Sequence, residues 1–381
     1  MALTYLAGNL VRKGYARVQV RDGLIAAVEI EGPERDGAPF LSPGLVDIQL
    51  NGFAGIDFSA PDLEPEAAIA VLPHLTRTGT LSFCPTLITN AIDRIARNFR
   101  VLERARSADA RFAAMVPCYH LEGPYFAPGP ARGVHDPSYM HPPDWDEFCT
   151  LQDAAGGRIG IVTLAPELPG AIDFIARLRD AGVVAALGHT MATPEQIHAA
   201  VDSGARLSTH LGNGCPQMLD RHANPIWAQL VRGELMASLI CDGFHLPADV
   251  VKVMARMKGA HGTILITDAS HVAGLPPGRY SMVGTEIELL ATGKVIRADG
   301  GSLAGSALSM DRAVAMFRQL SGLPWEDALA AATANPAALL GKGVCRAVAP
   351  GQPANLIQVE TDAGTLRVQS THVAVEQASA N

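Results

Sequence analysis

Residues 159–210, IGIVTLAPELPGAIDFIARLRDAGVVAALGHTMATPEQIHAAVDSGARLSTH, contain three short apolar stretches separated by two helical patterns. The apolar stretches at 159–164, 183–187 and 207–210 have the length of buried strands. The stretches at 172–181 and 194–203 instead have the apolar periodicity of amphipathic helices. Strands that alternate with helices in this way predict a parallel sheet covered by helices.

The same alternation extends toward both ends of the chain. A further helical pattern covers 247–257, and five more strand-like apolar stretches bring the number of predicted strands to eight, at 45–50, 81–86, 115–121, 236–241 and 263–267. Eight β/α units over this length favour a closed (β/α)8 TIM-like barrel, an α/β fold, over an open doubly wound sheet. Residues 280–299 do not fit the alternation and predict a β excursion after the eighth strand.

Both ends of the chain read as β structure. Residues 3–30 form short strand-like runs with a hairpin signal at Asp22-Gly23, and residues 355–359 and 366–369 are again strand-like. We therefore predict a small β-sandwich domain formed by both termini, residues 1–44 and 345–381, beside a barrel of residues 45–344.

Composition excludes several classes of protein. A hydrophobic content of 48% with 18% charged residues indicates a large buried core. The net charge of −8 and the lack of a long Lys/Arg cluster argue against a nucleic-acid partner. No apolar run reaches the length of about 18 residues that a membrane span needs, and no signal peptide is recognisable. Six thinly spread cysteines without a C-x-x-C motif fit a reducing compartment, so we expect a cytoplasmic location.

Potential metal ligands follow several of the predicted strands. Glu122, His189 and His210 come at the ends of the third, fifth and sixth strands. In a barrel these ends share one rim, where catalytic side chains lie. Three protein ligands that leave a fourth position for water are typical of a catalytic zinc site. Asp268, at the end of the eighth strand, could then accept a proton from the activated water and pass it to a leaving amine.

Each of these residues also has an ordinary structural interpretation. A single histidine at a strand end more often serves as a structural hydrogen-bonding group, and Glu122 beside Gly-Pro could cap a loop. Asp268 could be the N-cap of a short helix. These alternatives are independent of one another, whereas a metal site accounts for all four positions together.

The order of these motifs resembles the N-acetylglucosamine-6-phosphate deacetylase family of the amidohydrolase superfamily. The resemblance covers most of the chain and rests on the following motifs: Pro43-Gly-Leu-Val-Asp-Ile-Gln49-Leu-Asn51-Gly, His120-Leu-Glu122-Gly-Pro, Leu164-Ala-Pro-Glu167, Gly188-His189-Thr-Met-Ala-Thr, Thr209-His210-Leu-Gly-Asn213, Asp242-Gly-Phe-His245, Thr267-Asp268-Ala, Leu303-Ala-Gly-Ser306, Asn335-Pro-Ala and Pro350-Gly-Gln-Pro-Ala-Asn-Leu.

The resemblance implies roles for individual residues. Glu122, His189 and His210 match metal ligands, Asp268 matches the catalytic acid/base, and His135 matches a substrate-contacting histidine that would help to stabilise the oxyanion. The implied substrate-binding residues are Gln49, Asn213, Gly214, Arg221, His245, Leu303, Ala304 and Gly305. Among them, Arg221 and His245 suit a phosphate group. The resemblance also implies a homodimer.

Two departures bear on metal content and substrate. Many amidohydrolases carry His-x-His on the first strand, but this chain has Gln49 and Asn51, so we expect one divalent ion per subunit, zinc. Residues 212–215 read Gly-Asn-Gly-Cys where the family commonly has Phe, then Asn-Ala-Met.

The expected activity is hydrolysis of the N-acetyl group of N-acetylglucosamine-6-phosphate or a close N-acetylhexosamine phosphate. Because of residues 212–215, a deacylase for another N-acyl sugar or an N-acyl amino acid is an alternative. A barrel that binds a ligand without catalysis is a third, from another class.

Overall fold

The computed structural model of the protein describes residues 3–10, 13–282, 285–298, 303–341, 343–362 and 364–374. The strands are, in chain order, β1 (Leu3–Leu10), β2 (Gly14–Arg21), β3 (Leu24–Gly32), β4 (Phe40–Pro43), β5 (Leu45–Leu50), β6 (Gly52–Phe53), β7 (Ile56–Asp57), β8 (Thr80–Ile88), β9 (Tyr119–Glu122), β10 (Ile159–Leu164), β11 (Val184–Leu187), β12 (Leu207–Ser208), β13 (Met236–Ile240), β14 (Thr263–Ile266), β15 (Gly278–Met282), β16 (Thr285–Leu289), β17 (Val295–Arg297), β18 (Leu356–Thr361) and β19 (Leu366–His372).

Helices cover the outside of the strands that form the barrel. They are α1 (Pro65–Ala70), α2 (Leu72–Arg77), α3 (Ile92–Ala108), α4 (Ala110–Met115), α5 (Trp145–Ala154), α6 (Ala171–Asp180), α7 (Pro194–Ser203), α8 (Pro225–Val231), α9 (Ala248–Gly262), α10 (Met310–Ser321), α11 (Trp325–Ala331) and α12 (Ala334–Leu340). The three helices predicted from the sequence correspond to α6, α7 and α9. Among the helices in the described ranges, none combines the length and apolar character needed to cross a bilayer.

The barrel consists of β5 and β8–β14, so all eight predicted strands are present. Each strand pairs in parallel with the next along the chain. A bridge between Leu50 and Ala269 joins β5 to the segment after β14. Every residue of β5 and β14 is buried, as expected for strands covered on both faces. The predicted fold class is therefore confirmed.

Two predicted strands are shorter than expected by two residues or more. The third, predicted at 115–121, begins only at Tyr119, because Asp109 caps α4 and this helix continues to Met115. The sixth, predicted at 207–210, ends at Ser208, because the chain turns into a left-handed conformation at His210. Both differences concern boundaries and leave the order of the strands unchanged.

The two ends of the chain form one six-stranded sheet, in the order β19-β18-β4-β1-β2-β3. Its buried side chains include Val18, Ile25, Leu41 and Leu356. This sheet is the β domain predicted from both termini, while the domain limits at 44 and 345 stay a prediction. The predicted β excursion is the antiparallel sheet β15–β17; residue 299, its predicted end, lies outside the described residues.

Candidate active site

The four candidate catalytic residues lie together at one rim of the barrel. Glu122 is the last residue of β9, and His189, His210 and Asp268 each stand two residues beyond the end of a strand. The last three have φ angles of 49°, 31° and 48°. Non-glycine residues seldom adopt this left-handed conformation, which costs on the order of 1–3 kcal/mol and persists mainly where the surroundings enforce it, often at functional sites.

Glu122, His189 and His210, the candidate triad, surround a single point. Oε1 of Glu122 lies 3.3 Å from Nε2 of His189 and 3.1 Å from Nε2 of His210. The two Nε2 atoms are 3.1 Å apart, and all three side chains are buried. One carboxylate oxygen and two imidazole nitrogens within 4.8 Å of one another form a group that can hold a metal ion.

The hydrogen bonds around the candidate triad suit a divalent cation. Nδ1 of His189 lies 2.9 Å from the carbonyl oxygen of Ala131. Because a carbonyl only accepts, this bond places the proton on Nδ1 and leaves a lone pair on Nε2, as in metal-binding histidines. Burial opposes the negative charge of Glu122, but the adjacent imidazoles hold the pKa of its carboxyl well below its usual range. The donors present therefore fit a metal ion.

Asp268 is held by two amide side chains, one of which, Gln49, also bonds to the candidate triad. Its Oδ1 accepts hydrogen bonds from Nδ2 of Asn51 at 2.7 Å and from Nε2 of Gln49 at 3.2 Å. Nε2 of Gln49 also donates to Oε1 of Glu122 at 3.0 Å. Burial and the negative charge of Glu122 raise the pKa of Asp268 to about 6. A carboxyl group with such a pKa can both accept and donate a proton near neutral pH.

His135 extends the cluster on its other side. Its Nε2 lies 3.2 Å from Nε2 of His189, and its Nδ1 lies 2.9 Å from Oγ1 of Thr89. The ring of Phe126 packs against both imidazoles, with centroids 4.8 Å from each. Burial, together with the neighbouring His189, lowers the pKa of His135 to about 3. A neutral imidazole in this place can donate one hydrogen bond toward the cavity.

A cavity of about 770 Å³ lies over this cluster. Of the predicted substrate-binding residues, its lining includes Asn213, Gly214, His245, Leu303 and Gly305. Gln49 and Ala304 are buried and, like the exposed Arg221, do not belong to the lining among the described residues. The structure thus brings most of the predicted site residues together but leaves Arg221 outside the cavity of its own chain.

Gly214 has a steric reason to be glycine. Its φ angle is 59°, and a Cβ atom there would lie 2.9 Å from Nδ1 of His189 and 3.0 Å from Cε1 of His210. Any larger residue would have to displace the candidate triad or the loop. The glycine at position 214 thus lets this loop approach the two imidazoles closely.

Several residues at the site were not singled out from the sequence. Thr89 holds His135, and Asp57, Ser59 and His271 line the cavity. All four stand in loops or at strand ends without a recognisable motif. Asn51, noted in the sequence only as a poor metal ligand, is a hydrogen-bond partner of Asp268. Its position two residues after Gln49, on the same face of the chain, was the available signal.

A buried carboxyl group, Asp47, joins β5, which carries Gln49, to the segment after β14, which carries Asp268. It accepts hydrogen bonds from Oγ1 of Thr267 and from the backbone nitrogen atoms of Thr267 and Gln49. Burial raises the pKa of Asp47 to about 7. The folded protein therefore holds this proton more tightly than the unfolded chain does.

We expect Asp47→Asn to change how the stability of the fold depends on pH. With a folded pKa above the unfolded value of 3.8, the contribution of Asp47 is fully present below about pH 4 and is lost as pH rises through 7. The free energy of unfolding of the wild type, relative to that of Asp47→Asn, should therefore fall between pH 4.5 and 7.5. Urea unfolding across this range measures the difference.

The exposed Asp36 provides the matched control. Asp36→Asn should follow the wild type at every pH. A pH-independent difference between Asp47→Asn and the wild type would contradict the assignment of a raised pKa to Asp47.

Comparisons with known proteins agree with the geometry of the site. A family model described as the amidohydrolase family matches residues 40–379. N-acetylgalactosamine-6-phosphate deacetylase of Escherichia coli O157:H7 is 34% identical over 353 residues, which cover 91% of this chain and 90% of that protein. N-acetylglucosamine-6-phosphate deacetylase of Bacillus subtilis (strain 168) is 31% identical over 377 residues, 93% and 90% of the two chains.

Solved structures show the same similarity. An N-acetyl-D-glucosamine-6-phosphate deacetylase of Mycobacterium smegmatis, an aspartate-to-alanine mutant in complex with N-acetyl-D-glucosamine-6-phosphate, superposes with a TM-score of 0.87. It is 29% identical, and the match covers 99% of each chain. The chain therefore belongs to the amidohydrolase family, in the group of the N-acetylglucosamine-6-phosphate deacetylases, and is a hydrolase that acts on an amide.

Proposed function

We propose that the protein removes the N-acetyl group of a hexosamine 6-phosphate, either N-acetylglucosamine-6-phosphate or its galacto epimer. The products are acetate and the free amino sugar phosphate. The observation that carries this proposal is the candidate triad, linked through Gln49 to the carboxyl of Asp268. Relatives of similar identity are deacetylases of the gluco and of the galacto substrate, so both epimers are retained.

Glu122, His189 and His210 would hold one divalent ion per subunit, and we propose zinc because two imidazole nitrogens and one carboxylate oxygen suit it. Bound there, it would supply Lewis acidity that polarises the acetyl carbonyl and acidifies a water molecule. Gln49 and Asn51 offer amide groups instead of a second set of ligands, which supports a single ion.

Asp268 moves the proton in this reaction. Hydrogen bonds from Asn51 and Gln49 hold its Oδ1, which leaves Oδ2 to accept a proton from the attacking water. The water oxygen bonds to the acetyl carbon, the C–N bond breaks, and Asp268 returns the proton to the departing amine. His135, kept neutral by burial, donates a hydrogen bond to the carbonyl oxygen as negative charge develops there.

His245 and Arg221 are proposed to bind the 6-phosphate. His245 lines the cavity, and its Nδ1 lies 2.7 Å from Oδ2 of Asp242, which orients the ring. Arg221 is exposed in the loop before α8, where its carbonyl oxygen accepts from Nε1 of Trp227. Because Arg221 does not line the cavity of its own chain, we propose that it reaches the cavity of a partner subunit.

Three exposed apolar side chains close to Arg221 in the sequence support a homodimer. Met218, Trp227 and Val231 are 88%, 50% and 63% exposed, and all three lie within about ten residues of Arg221 in the chain. Large apolar side chains exposed on a protein surface often mark protein–protein contacts. If these three side chains form the contact between subunits, the same segment carries Arg221 toward the partner.

Activity toward N-acetylhexosamines with and without a 6-phosphate tests the proposed substrate. We expect kcat/KM to fall at least about 100-fold without the phosphate, because hydrogen bonds to charged groups each contribute roughly 1.5–3 kcal/mol. His245→Ala should lower kcat/KM for the phosphorylated sugar only. Release of free amine measures the rate. Equal rates on both sugars would favour the second candidate, a deacylase for another N-acyl sugar or an N-acyl amino acid. The departure of residues 212–215 from the family pattern is the observation that supports this alternative.

Mixed dimers test the role of Arg221. Coexpressed subunits carrying Arg221→Ala and Asp268→Asn, separated by two affinity tags, should regain activity toward the phosphorylated sugar. The hybrid then contains one site with an intact Asp268 and an arginine from its partner. If Arg221 serves its own chain, or if the protein is monomeric by light scattering, no activity returns. The cytoplasmic location expected from the sequence stays a prediction.

A further inference from the structure

An aspartate and a histidine line the cavity in a sector that the proposed chemistry does not use. Asp57 ends β7, and His271 follows Asp268 by three residues. Both side chains belong to the lining, together with Ser59 and Ser270. They stand where β5 and β14 meet to close the barrel, whereas Asn213 and His245 stand in the loops after β12 and β13.

The backbone holds Asp57 and His271 in one unit. The hairpin β6–β7 carries Asp57, and its Gly55 nitrogen donates to the carbonyl oxygen of His271 at 2.7 Å. The Gly52 nitrogen donates to Ala269 at 3.0 Å. A Cβ atom on Gly52 would lie 2.2 Å from the carbonyl oxygen of Ile56 and 3.0 Å from the nitrogen of His271. The hairpin is therefore pressed against the segment that also carries Asp268.

Both side chains retain hydrogen-bonding capacity toward the cavity. Oδ1 of Asp57 accepts from the Ser59 nitrogen at 2.8 Å, and a carboxylate has room for further donors. Nδ1 of His271 is buried without a hydrogen-bond partner among the described residues, whereas Nε2 of this cavity-lining ring is not buried and is the nitrogen that can meet a ligand. Burial raises the pKa of Asp57 and lowers the pKa of His271, and each group opposes the shift of the other. The shared cavity lining and the backbone bond from Gly55 to His271 place the two side chains in one sector of the cavity.

We propose that Asp57 and His271 form a subsite that binds a hydroxyl group of the sugar ring, an inference that rests on the proposed function. A hydroxyl donates one hydrogen bond and accepts others, which matches an acceptor carboxylate beside an imidazole N–H. The carboxylate of Asp57 would repel the 6-phosphate, and the acetamido group is engaged at the candidate triad. The hydroxyls at C1, C3 and C4 are the remaining groups of the substrate that both donate and accept hydrogen bonds. The pair thus contributes to the choice between hexosamine substrates.

Kinetic double-mutant cycles with deoxy substrates test this subsite. Wild type, Asp57→Asn and His271→Asn are compared on the preferred N-acetylhexosamine 6-phosphate and on its 1-, 3- and 4-deoxy analogues. We expect each substitution to raise KM about 10–100-fold and to leave kcat nearly unchanged, because the contact exists before and during the reaction. For one analogue, the loss of the hydroxyl should raise the KM of the wild type by the same factor. The KM of each variant should then hardly rise further on that analogue.

The controls separate recognition from stability. Asp62 is exposed and interacts electrostatically with Asp57 without lining the cavity, so Asp62→Asn should keep the wild-type KM. Thermal melts show whether each variant folds. If Asp57→Asn does not fold, the KM of His271→Asn on the same substrates still tests the subsite.

The subsite would be overturned if the effects of substitution and of the missing hydroxyl on KM were additive for every analogue. It would also be overturned if KM were unchanged in both variants. Either result would leave the deacetylase activity intact. A wild type that hydrolyses no hexosamine phosphate would instead overturn the proposed function, and the subsite with it.

Discussion

Asp268→Asn is expected to lower kcat by about 10³-fold, because general acid–base catalysis by a positioned side chain typically contributes 10²–10⁴-fold. Asparagine keeps the shape of the side chain and the oxygen that accepts from Asn51 and Gln49. It cannot take up the proton of water or return it to the amine. Release of amine at saturating substrate measures kcat, and elemental analysis measures the bound metal, which should remain at the wild-type level.

This variant also distinguishes proton transfer from metal binding. Loss of the metal from Asp268→Asn would assign Asp268 to holding the ion, and a kcat within tenfold of the wild type would exclude it as the acid/base. Asp62→Asn, an exposed acid-to-amide change, is the matched control and should leave kcat unchanged. Asp57→Asn should differ from both, because its expected effect is on KM.

Removal of the metal is expected to abolish turnover and to lower the thermal midpoint of unfolding. A ligand that binds only the folded state stabilises it by about 4 kcal/mol at a thousand times its Kd. Zinc added back to the chelated wild type should restore both activity and midpoint. In Glu122→Gln, neither chelation nor added zinc should change the activity or the thermal midpoint, because the substitution replaces the only carboxylate of the candidate triad by a neutral amide.

His245→Asn is the control for metal binding, because His245 lines the same cavity but is not part of the candidate triad. His245→Asn should have the metal content of the wild type, and chelation should lower its thermal midpoint of unfolding by the same amount. If Glu122→Gln still bound one equivalent of zinc tightly, the candidate triad would not be the metal site.

The fold could be predicted from the sequence because its signals are local and repeated. Barrel strands buried on both faces appear as short apolar runs, and the helices between them have their own periodicity. The error at the third strand arose where an apolar run continued through a change of conformation. Met115 and Val116 extend the run before β9, yet the Asp109 cap draws Met115 into α4.

The grouping of Glu122, His189, His210 and Asp268 followed from topology. Residues at the ends of parallel barrel strands meet at one rim, however far apart they are in the chain. The amino-acid sequence by itself thus determined the barrel, its rim and the side chains that gather there.

Only the tertiary structure decided which loop residues face the cavity. Arg221 has the charge that suits a phosphate but lies outside the cavity of its own chain, while Asp57 and His271 line it without any motif. Their positions depend on backbone hydrogen bonds between segments more than 200 residues apart, such as that from Gly55 to His271. Pairing between distant loops leaves no periodic pattern in a sequence, because each loop needs only turn residues and a partner that the folded barrel brings to it.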